Sequence, residues 1–137
     1  WCDWSSDVCS SDLIKELTDA VVKSSAYKIY VCNVMTQQGE SEGYTASDHV
    51  DAIVKHSHRK VMDACLVNSE EVPSEAQGRY KSEDSFPVVP EVDRIREMGI
   101  EVVATDLLSI TDYVRHDSIK LTKALIKLIE KHRILKR

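Results

Sequence analysis

The stretch that decides the fold is residues 28–50, KIYVCNVMTQQGESEGYTASDHV. Its first part, 28–35, is a short and mostly apolar run rich in β-branched and aromatic residues, which predicts a buried strand. A polar loop with two glycines follows. Thr45 with Asp48 three positions later is related to the capping box that begins helices, with aspartate in place of the usual glutamate, and the helix it opens ends near His58. The segment therefore predicts one strand–loop–helix unit.

The rest of the chain continues this alternation of strands and helices. Apolar residues recur every three or four positions in predicted helices, and short apolar runs predict two more buried strands. The helices are 14–23, 91–98 and 118–132, and the strands are 61–67 and 100–104. Residues 68–90, which hold all three prolines, are predicted to be a long irregular stretch. Strands alternating with helices predict an α/β fold with a mainly parallel sheet, whose ligands lie beyond the carboxyl ends of the strands.

Composition places the chain among soluble α/β proteins. It has 137 residues, of which 42% are apolar and 30% charged, enough for one domain or a piece of one. No apolar run approaches the roughly 20 residues that cross a membrane, and residues 1–11 lack the features of a secretory signal. We therefore expect no membrane insertion and a cytoplasmic location.

Charge is unevenly distributed along the chain. The net charge is −5, but residues 118–137 contain seven basic residues and one acidic residue, so the remainder carries −11. This acidic balance argues against nucleic acid as a partner. For the basic tail, a solvated helix face is favoured over a site for an anionic partner.

The four cysteines, Cys2, Cys9, Cys32 and Cys65, form neither a disulfide nor a zinc pattern. Cys32 and Cys65 lie in apolar runs predicted to be strands, where cysteine behaves as a small hydrophobic residue. No metal site is expected from them.

The first thirteen residues, WCDWSSDVCSSDL, differ from the rest. They repeat Ser-Ser-Asp, lack helical or strand periodicity, and resemble translated sequencing-adapter sequence. We expect residues 1–13 to be a foreign or disordered segment, and residues 14–137 to form the domain.

Polar side chains gather between the first predicted strand and the helix after it. They are Asn33, Thr36, Gln37, Glu40, Asp48 and His49. Two interpretations remain open. The helix N-terminus could bind a phosphate through its free N–H groups, or the polar residues could satisfy one another in a well-capped loop. Asp48 and His49 are about 100° apart around a helix, so they are not expected to act on one proton.

Residues 30–50, YVCNVMTQQGESEGYTASDHV, resemble the YVCN-MTQ-GET-GYTASDH signature of the CofD/YvcK-like (gluconeogenesis factor) family. Gln38 stands where proline is frequent and Ser41 where threonine is typical. The resemblance continues through shorter motifs at 67–68, 79–80, 86–88, 99–102 and 114–117, so it covers essentially all of residues 14–137. It implies the C-terminal part of a Rossmann-like α/β domain.

The resemblance also implies a function. YvcK-type proteins bind UDP-sugars such as UDP-N-acetylglucosamine and support gluconeogenic growth, cell shape and cell-wall synthesis. The more distant CofD relatives transfer a phospholactyl group during deazaflavin biosynthesis, and such a transferase would use Mg²⁺ to stabilise phosphate charge. Binding without turnover is the first hypothesis, a transferase the second, and a scaffold for a protein partner the third. A homo-oligomer is compatible with each of them.

The remaining candidate ligand residues are Tyr44, Tyr80, Arg115 and Asp117. Arg115 follows the third predicted strand, and its guanidinium could fork onto two phosphate oxygens. Tyr80 could stack on a uracil or sugar face. The resemblance implies that the tyrosine and the arginine at the matching positions of the family contact the UDP-sugar. Asp117 could hold the Arg115 guanidinium or cap the last helix. Asp48 is expected to cap its helix and His49 to donate a hydrogen bond to the ligand.

Overall fold

A computed structural model of the chain describes residues 11–80, 84–110 and 114–136. In chain order the elements are α1 (Ser11–Lys23), β1 (Ile29–Val31), α2 (Ala46–His56), β2 (Ala64–Asn68), α3 (Ser74–Tyr80), α4 (Val92–Glu97), β3 (Glu101–Thr105), β4 (Leu108–Ile110), β5 (Val114–His116) and α5 (Ser118–Leu135). Most of the adapter-like segment lies outside the described residues, and the backbone of 11–13 belongs to α1.

The centre of the fold is a three-stranded parallel sheet in the order β1-β2-β3. Cys65 of β2 is in register with Tyr30 on one side and Val102 on the other. Helix α2 lies between β1 and β2, and helices α3 and α4 lie between β2 and β3, as parallel pairing requires. The predicted α/β fold with a mainly parallel sheet is confirmed.

Side-chain alternation along β2 divides the core into two layers. Ala64 and Leu66 pack on one face of the sheet against Leu128 of α5. Cys65 and Val67 point to the other face, where α2 and α4 cover them. Since successive side chains of a strand point to opposite faces, β2 is buried on both sides, and the sheet lies between two helical layers.

Several helix ends form at the predicted residues. Thr45 and Asp48 make a reciprocal capping box at the start of α2. Asp117 accepts hydrogen bonds from the N–H groups of Ile119 and Lys120 and thereby caps α5. Gly99 follows α4 with φ +80°, the left-handed conformation that favours glycine after a helix.

The predicted strand 28–35 is shorter in the structure, and its second half pairs elsewhere. β1 ends at Val31. Beyond it, Met35 forms an antiparallel bridge with Pro87, and the Val88 N–H donates to the Val34 carbonyl at 2.9 Å. The first part of the apolar run 28–35 therefore pairs with β2, and its second part pairs with the loop that precedes α4.

The prediction that 68–90 is irregular was wrong, because it contains the seven-residue helix α3. Val72 and Ala76 bury their side chains against Leu108 of β4, so α3 is held by a small apolar cluster at the carboxyl end of the sheet. The antiparallel pair β4–β5 was not predicted either. Tertiary contacts stabilise elements this short.

Helix α5 buries only part of its apolar stripe. Ala124 and Leu128 are buried, whereas Ile119, Ile126 and Ile129 are 43–66% exposed. The apolar stripe of α5 therefore contributes to the core along one face only. Within residues 11–80, 84–110 and 114–136, no helix is long and apolar enough to cross a membrane.

Candidate functional site

A cleft of about 620 Å³ opens beyond the carboxyl end of the sheet. The loop after β1 forms one wall, and the end of α3 with strand β5 forms the other. Its lining residues are Asn33, Val34, Met35, Thr36, Gln37, Gln38, Glu40, Tyr80, Ser85, Val114, Arg115 and His116. The volume suits a small organic ligand, and the position is where open α/β sheets bind theirs.

Thr36 holds the first wall in place. It is 2% exposed, and its N–H donates to the Phe86 carbonyl at 2.7 Å. The Phe86 N–H donates to Thr36 Oγ1 at 2.9 Å, and the Ser85 hydroxyl donates to the Thr36 carbonyl. All of these polar groups of Thr36 are therefore used within the protein, so its role in the cleft is to position the loop.

A tight turn after Thr36 presents the rim of the cleft. The Ser41 N–H donates to the Gln37 carbonyl at 3.0 Å, and the Gln37 N–H donates to Ser41 Oγ at 3.0 Å. Gly39 lies inside this turn with φ +76°, a conformation that other residues adopt only with strain. The turn leaves the side chains of Gln37 and Glu40 exposed.

The opposite wall is tied to the sheet at two points. The Val114 N–H donates to the Tyr80 hydroxyl at 2.5 Å, which joins the start of β5 to the end of α3. His116 Nε2 lies 3.1 Å from the Cys32 carbonyl oxygen, which joins the end of β5 to the residue after β1. Arg115 lies between these anchors and is exposed in the cleft.

The exposed polar groups of the cleft are amides, one guanidinium and one carboxylate. Asn33, Gln37, Glu40 and Arg115 are exposed, and Arg115 is the one guanidinium among the described lining residues. Amides can both donate to and accept from neutral polar groups, and a guanidinium can hold two oxygens of an anion. Glu40 is the one carboxylate of the described lining. The described part of the chain contains no group of three or more His, Cys, Asp or Glu placed to hold a metal ion.

The N-terminus of α2, the other candidate phosphate site, is occupied by the protein's own side chains. Thr45 exchanges hydrogen bonds with Asp48, and its hydroxyl donates to Glu91 Oε2 at 2.7 Å. The Ser47 hydroxyl also donates to Glu91. The bonds from Thr45 hold the pKa of Asp48 below its usual value, and those from Ser47 and Thr45 do the same for Glu91. The capping that the second interpretation predicted is present at this helix end.

His49 is buried in α2, with 9% of its surface exposed. Burial lowers its pKa, although Asp48 opposes the shift, so the folded protein disfavours the protonated imidazole. Tyr44 contacts the ring edge-on at a centroid distance of 5.4 Å. Nε2 is buried and has no hydrogen-bond partner among the described residues. His49 is thus packed inside the protein and does not line the cleft.

The two described cysteines are not nucleophiles at neutral pH. Cys32 and Cys65 are both buried and unpaired. Burial raises the pKa of Cys32 to about 11 and that of Cys65 to about 12. Because the thiolate is the reactive form, these side chains serve the core.

The structure brings six of the ten predicted site residues to the cleft and leaves four outside its lining. The six are Asn33, Thr36, Gln37, Glu40, Tyr80 and Arg115. The others have different positions: Tyr44 packs on His49, Asp48 caps α2, and Asp117 caps α5. For Asp117, the helix cap is the alternative that the structure shows.

Sequence reasoning missed Gln38, Ser85 and His116 as lining residues. The signal for His116 was its place beside Arg115 in the 114–117 motif, but its position depends on a hairpin that was not predicted. Gln38 lay within the predicted loop, where its Nε2 now donates to Asp84 at 3.1 Å. Ser85 carried no local signal, because only its contact with Thr36 brings it to the cleft.

Comparison with known proteins identifies relatives of the chain. The profile of the family described as 2-phospho-L-lactate transferase CofD matches residues 8–108. A relative from Thermoanaerobacterium thermosulfurigenes is 43% identical over 119 residues, which span 86% of this chain and 36% of the relative. The gluconeogenesis factor of Bacillus subtilis is 38% identical over 119 residues, 86% of this chain and 38% of that protein.

A crystal structure from Bacillus halodurans, of a protein of the UPF0052 family, superposes with a TM-score of 0.77 at 34% identity. It covers 80% of this chain, which in turn covers 36% of the solved chain. The chain thus spans a little more than a third of the length of the relatives it matches. Because the family profile matches well over half of the chain, and the fold and relatives agree with it, the chain belongs to the CofD family, in which its relatives include gluconeogenesis factors.

Proposed function

We propose that this chain forms part of a cytoplasmic nucleotide-sugar-binding protein that supports gluconeogenic growth, cell shape and cell-wall synthesis. The ligand is a UDP-sugar such as UDP-N-acetylglucosamine. The observation that carries the proposal is the exposed Arg115 in a cleft that is also lined by the amides Asn33 and Gln37, by Tyr80 and by one carboxylate, Glu40. The relative named gluconeogenesis factor in Bacillus subtilis supports the gluconeogenic role, and the roles in cell shape and cell-wall synthesis follow from the resemblance of residues 30–50 alone.

The cleft offers groups that complement the parts of a nucleotide sugar. Arg115 is suited to the diphosphate, because a guanidinium donates two parallel hydrogen bonds to phosphate oxygens. Asn33 and Gln37 carry donors and acceptors for uracil edges and sugar hydroxyls. The Tyr80 hydroxyl already accepts from Val114, so the ring is held in one orientation and offers an aromatic surface for stacking.

Binding without turnover is favoured by how the reactive groups are engaged. The Ser85 hydroxyl donates to the Thr36 carbonyl, and His116 Nε2 faces the Cys32 carbonyl. Neither pairs with the other in the described structure, so the lining holds no assembled nucleophile and base. A ligand-responsive regulator requires neither.

Titration calorimetry with UDP-N-acetylglucosamine tests the proposal on the 137-residue chain. We expect binding by the wild type and a loss of about 10-fold to 100-fold in affinity for Arg115→Ala, since a charge-assisted bond to phosphate is removed. Arg133→Ala is the matched control, because it removes the same charge from an exposed position of α5 outside the cleft. A folded chain that gives no binding heat, or equal losses for the two variants, would contradict the proposal.

A transferase of the CofD kind is the second candidate, favoured by the family description that matches residues 8–108. It would transfer the phospholactyl group of a nucleotide-activated phospholactate to a hydroxyl of a deazaflavin precursor, releasing a nucleoside monophosphate, with Mg²⁺ stabilising phosphate charge. Incubating the chain with a deazaflavin precursor, a nucleotide-activated phospholactate and Mg²⁺ separates the two functions by mass spectrometry. A magnesium-dependent phospholactyl product would establish the transferase, and unchanged substrates together with UDP-sugar binding would exclude it in favour of the regulator.

A further inference from the structure

A second groove, of about 430 Å³, runs along the free edge of β3, away from the cleft around Arg115. Strand β3 pairs with β2 on one side only, so its other edge is open in the described sheet. Helix α5 forms the second wall of this groove. Four lysines of α5 line it: Lys120, Lys123, Lys127 and Lys131.

Two ion pairs hold α5 alongside β3. Lys120 Nζ lies 2.7 Å from Asp106 Oδ2, just beyond the end of β3, and Lys131 Nζ lies 2.6 Å from Glu101 Oε1 at its start. The two lysines are about 16 Å apart along a helix, and the two acidic residues are about 16 Å apart along a strand. Helix α5 and strand β3 therefore run antiparallel, and the spacing of the two lysines matches that of the two acidic residues over the length of the groove.

The open edge of β3 offers backbone groups to an incoming strand. The Glu101 N–H donates to Asp63, and the Thr105 carbonyl accepts from Ser69. Because hydrogen-bonded residues alternate along a parallel strand, Val102 and Ala104 turn their N–H and C=O groups away from β2. Ala104 is exposed, and β3 has no partner on that side in the described sheet. Such an edge is a template for another extended chain.

The two middle lysines set the chemistry of that chain. Lys123 and Lys127 are exposed and form no ion pair with any described residue, unlike Lys120 and Lys131. Residues four apart on a helix are separated by about 6 Å along its axis, and alternate residues of a strand by about 7 Å. Two carboxylates at alternate positions of an added strand would therefore each reach one lysine.

We infer that the groove between β3 and α5 binds an extended acidic segment of a partner protein, in which Glu or Asp occupies alternate positions. The segment adds to the sheet at β3 through backbone hydrogen bonds, and its carboxylates pair with Lys123 and Lys127. The backbone contacts supply affinity, and the lysine pair selects the sequence. This interaction is independent of the ligand proposed for the first cleft.

A second copy of the chain and a nucleic acid fit the groove less well. A second copy paired through its own β3 would bring another lysine row against the first, and β1 (Ile29–Val31) offers no carboxylate. A nucleic acid has no alternating amide and carbonyl groups to match the edge of β3, and the chain carries a net charge of −5. An extended acidic peptide can pair with both walls of the groove, with its backbone on the edge of β3 and its carboxylates on the lysines of α5.

Fluorescence anisotropy on the 137-residue chain tests this inference with an end-capped, labelled seven-residue peptide in which Glu alternates with Thr. We expect saturable binding that weakens with salt. The double variant Lys123→Glu/Lys127→Glu should bind about tenfold more weakly, since two attractions become repulsions. The double variant Lys55→Glu/Lys60→Glu is the matched control, since it makes the same change in net charge at two exposed lysines outside the groove, and it should bind like the wild type.

Two further probes separate strand addition from attraction by charge alone. Ala104→Pro removes an N–H that does not bond to β2, so the sheet is kept while the edge loses a donor. A peptide with alternate N-methyl groups keeps its charge and blocks pairing without altering the protein. Both should weaken binding about tenfold. No binding up to millimolar peptide, equal binding of the N-methylated peptide, or equal binding of a thymidine oligonucleotide of similar length would overturn the inference.

Discussion

Two regions of this protein are equally rich in polar residues in the sequence but differ in the structure. In the loop after β1, Asn33, Gln37 and Glu40 keep their side chains exposed at the cleft. At the start of α2, only a few residues further on, the polar groups of Thr45 and Asp48 form hydrogen bonds with each other and with neighbouring residues. Polar density identifies both regions, but only the hydrogen-bond partners distinguish a surface that can receive a ligand from one that is already satisfied.

The largest expected difference between these regions is in ligand binding. Arg115→Ala should reduce UDP-sugar affinity by about 10-fold to 100-fold, because it removes the guanidinium from the cleft. Asp48→Ala should leave affinity unchanged while lowering stability, because it removes one half of a helix cap. Calorimetric titration of the two variants, with urea unfolding of each, measures both properties. The comparison fails if Asp48→Ala weakens binding as much as Arg115→Ala does.

Thr36→Val should have the largest effect on stability among single changes in the cleft. Valine keeps the shape of the side chain but leaves the Phe86 N–H without its acceptor at an almost fully buried position. We expect the free energy of unfolding to fall by about 2 kcal/mol. Urea denaturation measures the loss. Thr18→Val, on helix α1 away from the cleft, is the control and should change stability by less than about 0.5 kcal/mol. Equal losses for the two variants would show that Thr36 does not fix the wall.

Thr45→Ala should cost about 1 to 2 kcal/mol of unfolding free energy, since the substitution removes the cap of α2 and a hydrogen-bond partner of Glu91. Thermal unfolding and urea denaturation measure this loss of stability. Thr45→Ser is the matched variant, because serine keeps the hydroxyl and should retain most of the stability. Affinity for a UDP-sugar should be unchanged in both, and a loss of affinity in Thr45→Ala alone would return the ligand to the helix N-terminus.

The smallest expected effect is a pH dependence that originates in His49. Its pKa is lowered by burial, so as the pH falls through the unfolded value of about 6.5 the unfolded chain binds more protons than the folded one. The contribution of His49 to the free energy of unfolding is therefore complete above its unfolded-state pKa of about 6.5. It falls as the pH drops, with a slope of no more than about 1.4 kcal/mol per pH unit. His49→Gln should flatten this part of the urea-midpoint profile. Identical profiles for wild type and variant would show that His49 is not the source.

Features with a strong local signal could be predicted from the sequence. The buried runs of β2 and β3, the capping box at Thr45 and the glycine after α4 each depend on residues within a few positions of one another. The parallel sheet followed from the alternation of these elements. The same reasoning placed Arg115 at the ligand edge, because it follows the last parallel strand.

Features that depend on distant contacts could not be predicted. Helix α3 has seven residues and a glycine in its interior, and it forms because Val72 and Ala76 bury against Leu108. The path of the loop after β1 depends on the Thr36–Phe86 bonds, between residues fifty positions apart. Whether a polar residue near the helix N-terminus is free also depends on such partners, as Glu91 shows at Thr45 and Ser47.

The most direct test of the central claim is where a UDP-sugar perturbs the nuclear magnetic resonance spectrum of the isotope-labelled chain. With UDP-N-acetylglucosamine added, we expect shifts in the side-chain amides of Asn33 and Gln37 and in the guanidinium of Arg115. The backbone N–H groups of residues 45–48 should remain unchanged, because their helix end is capped from within. Shifts confined to residues 45–48, with the cleft signals unmoved, would contradict the account.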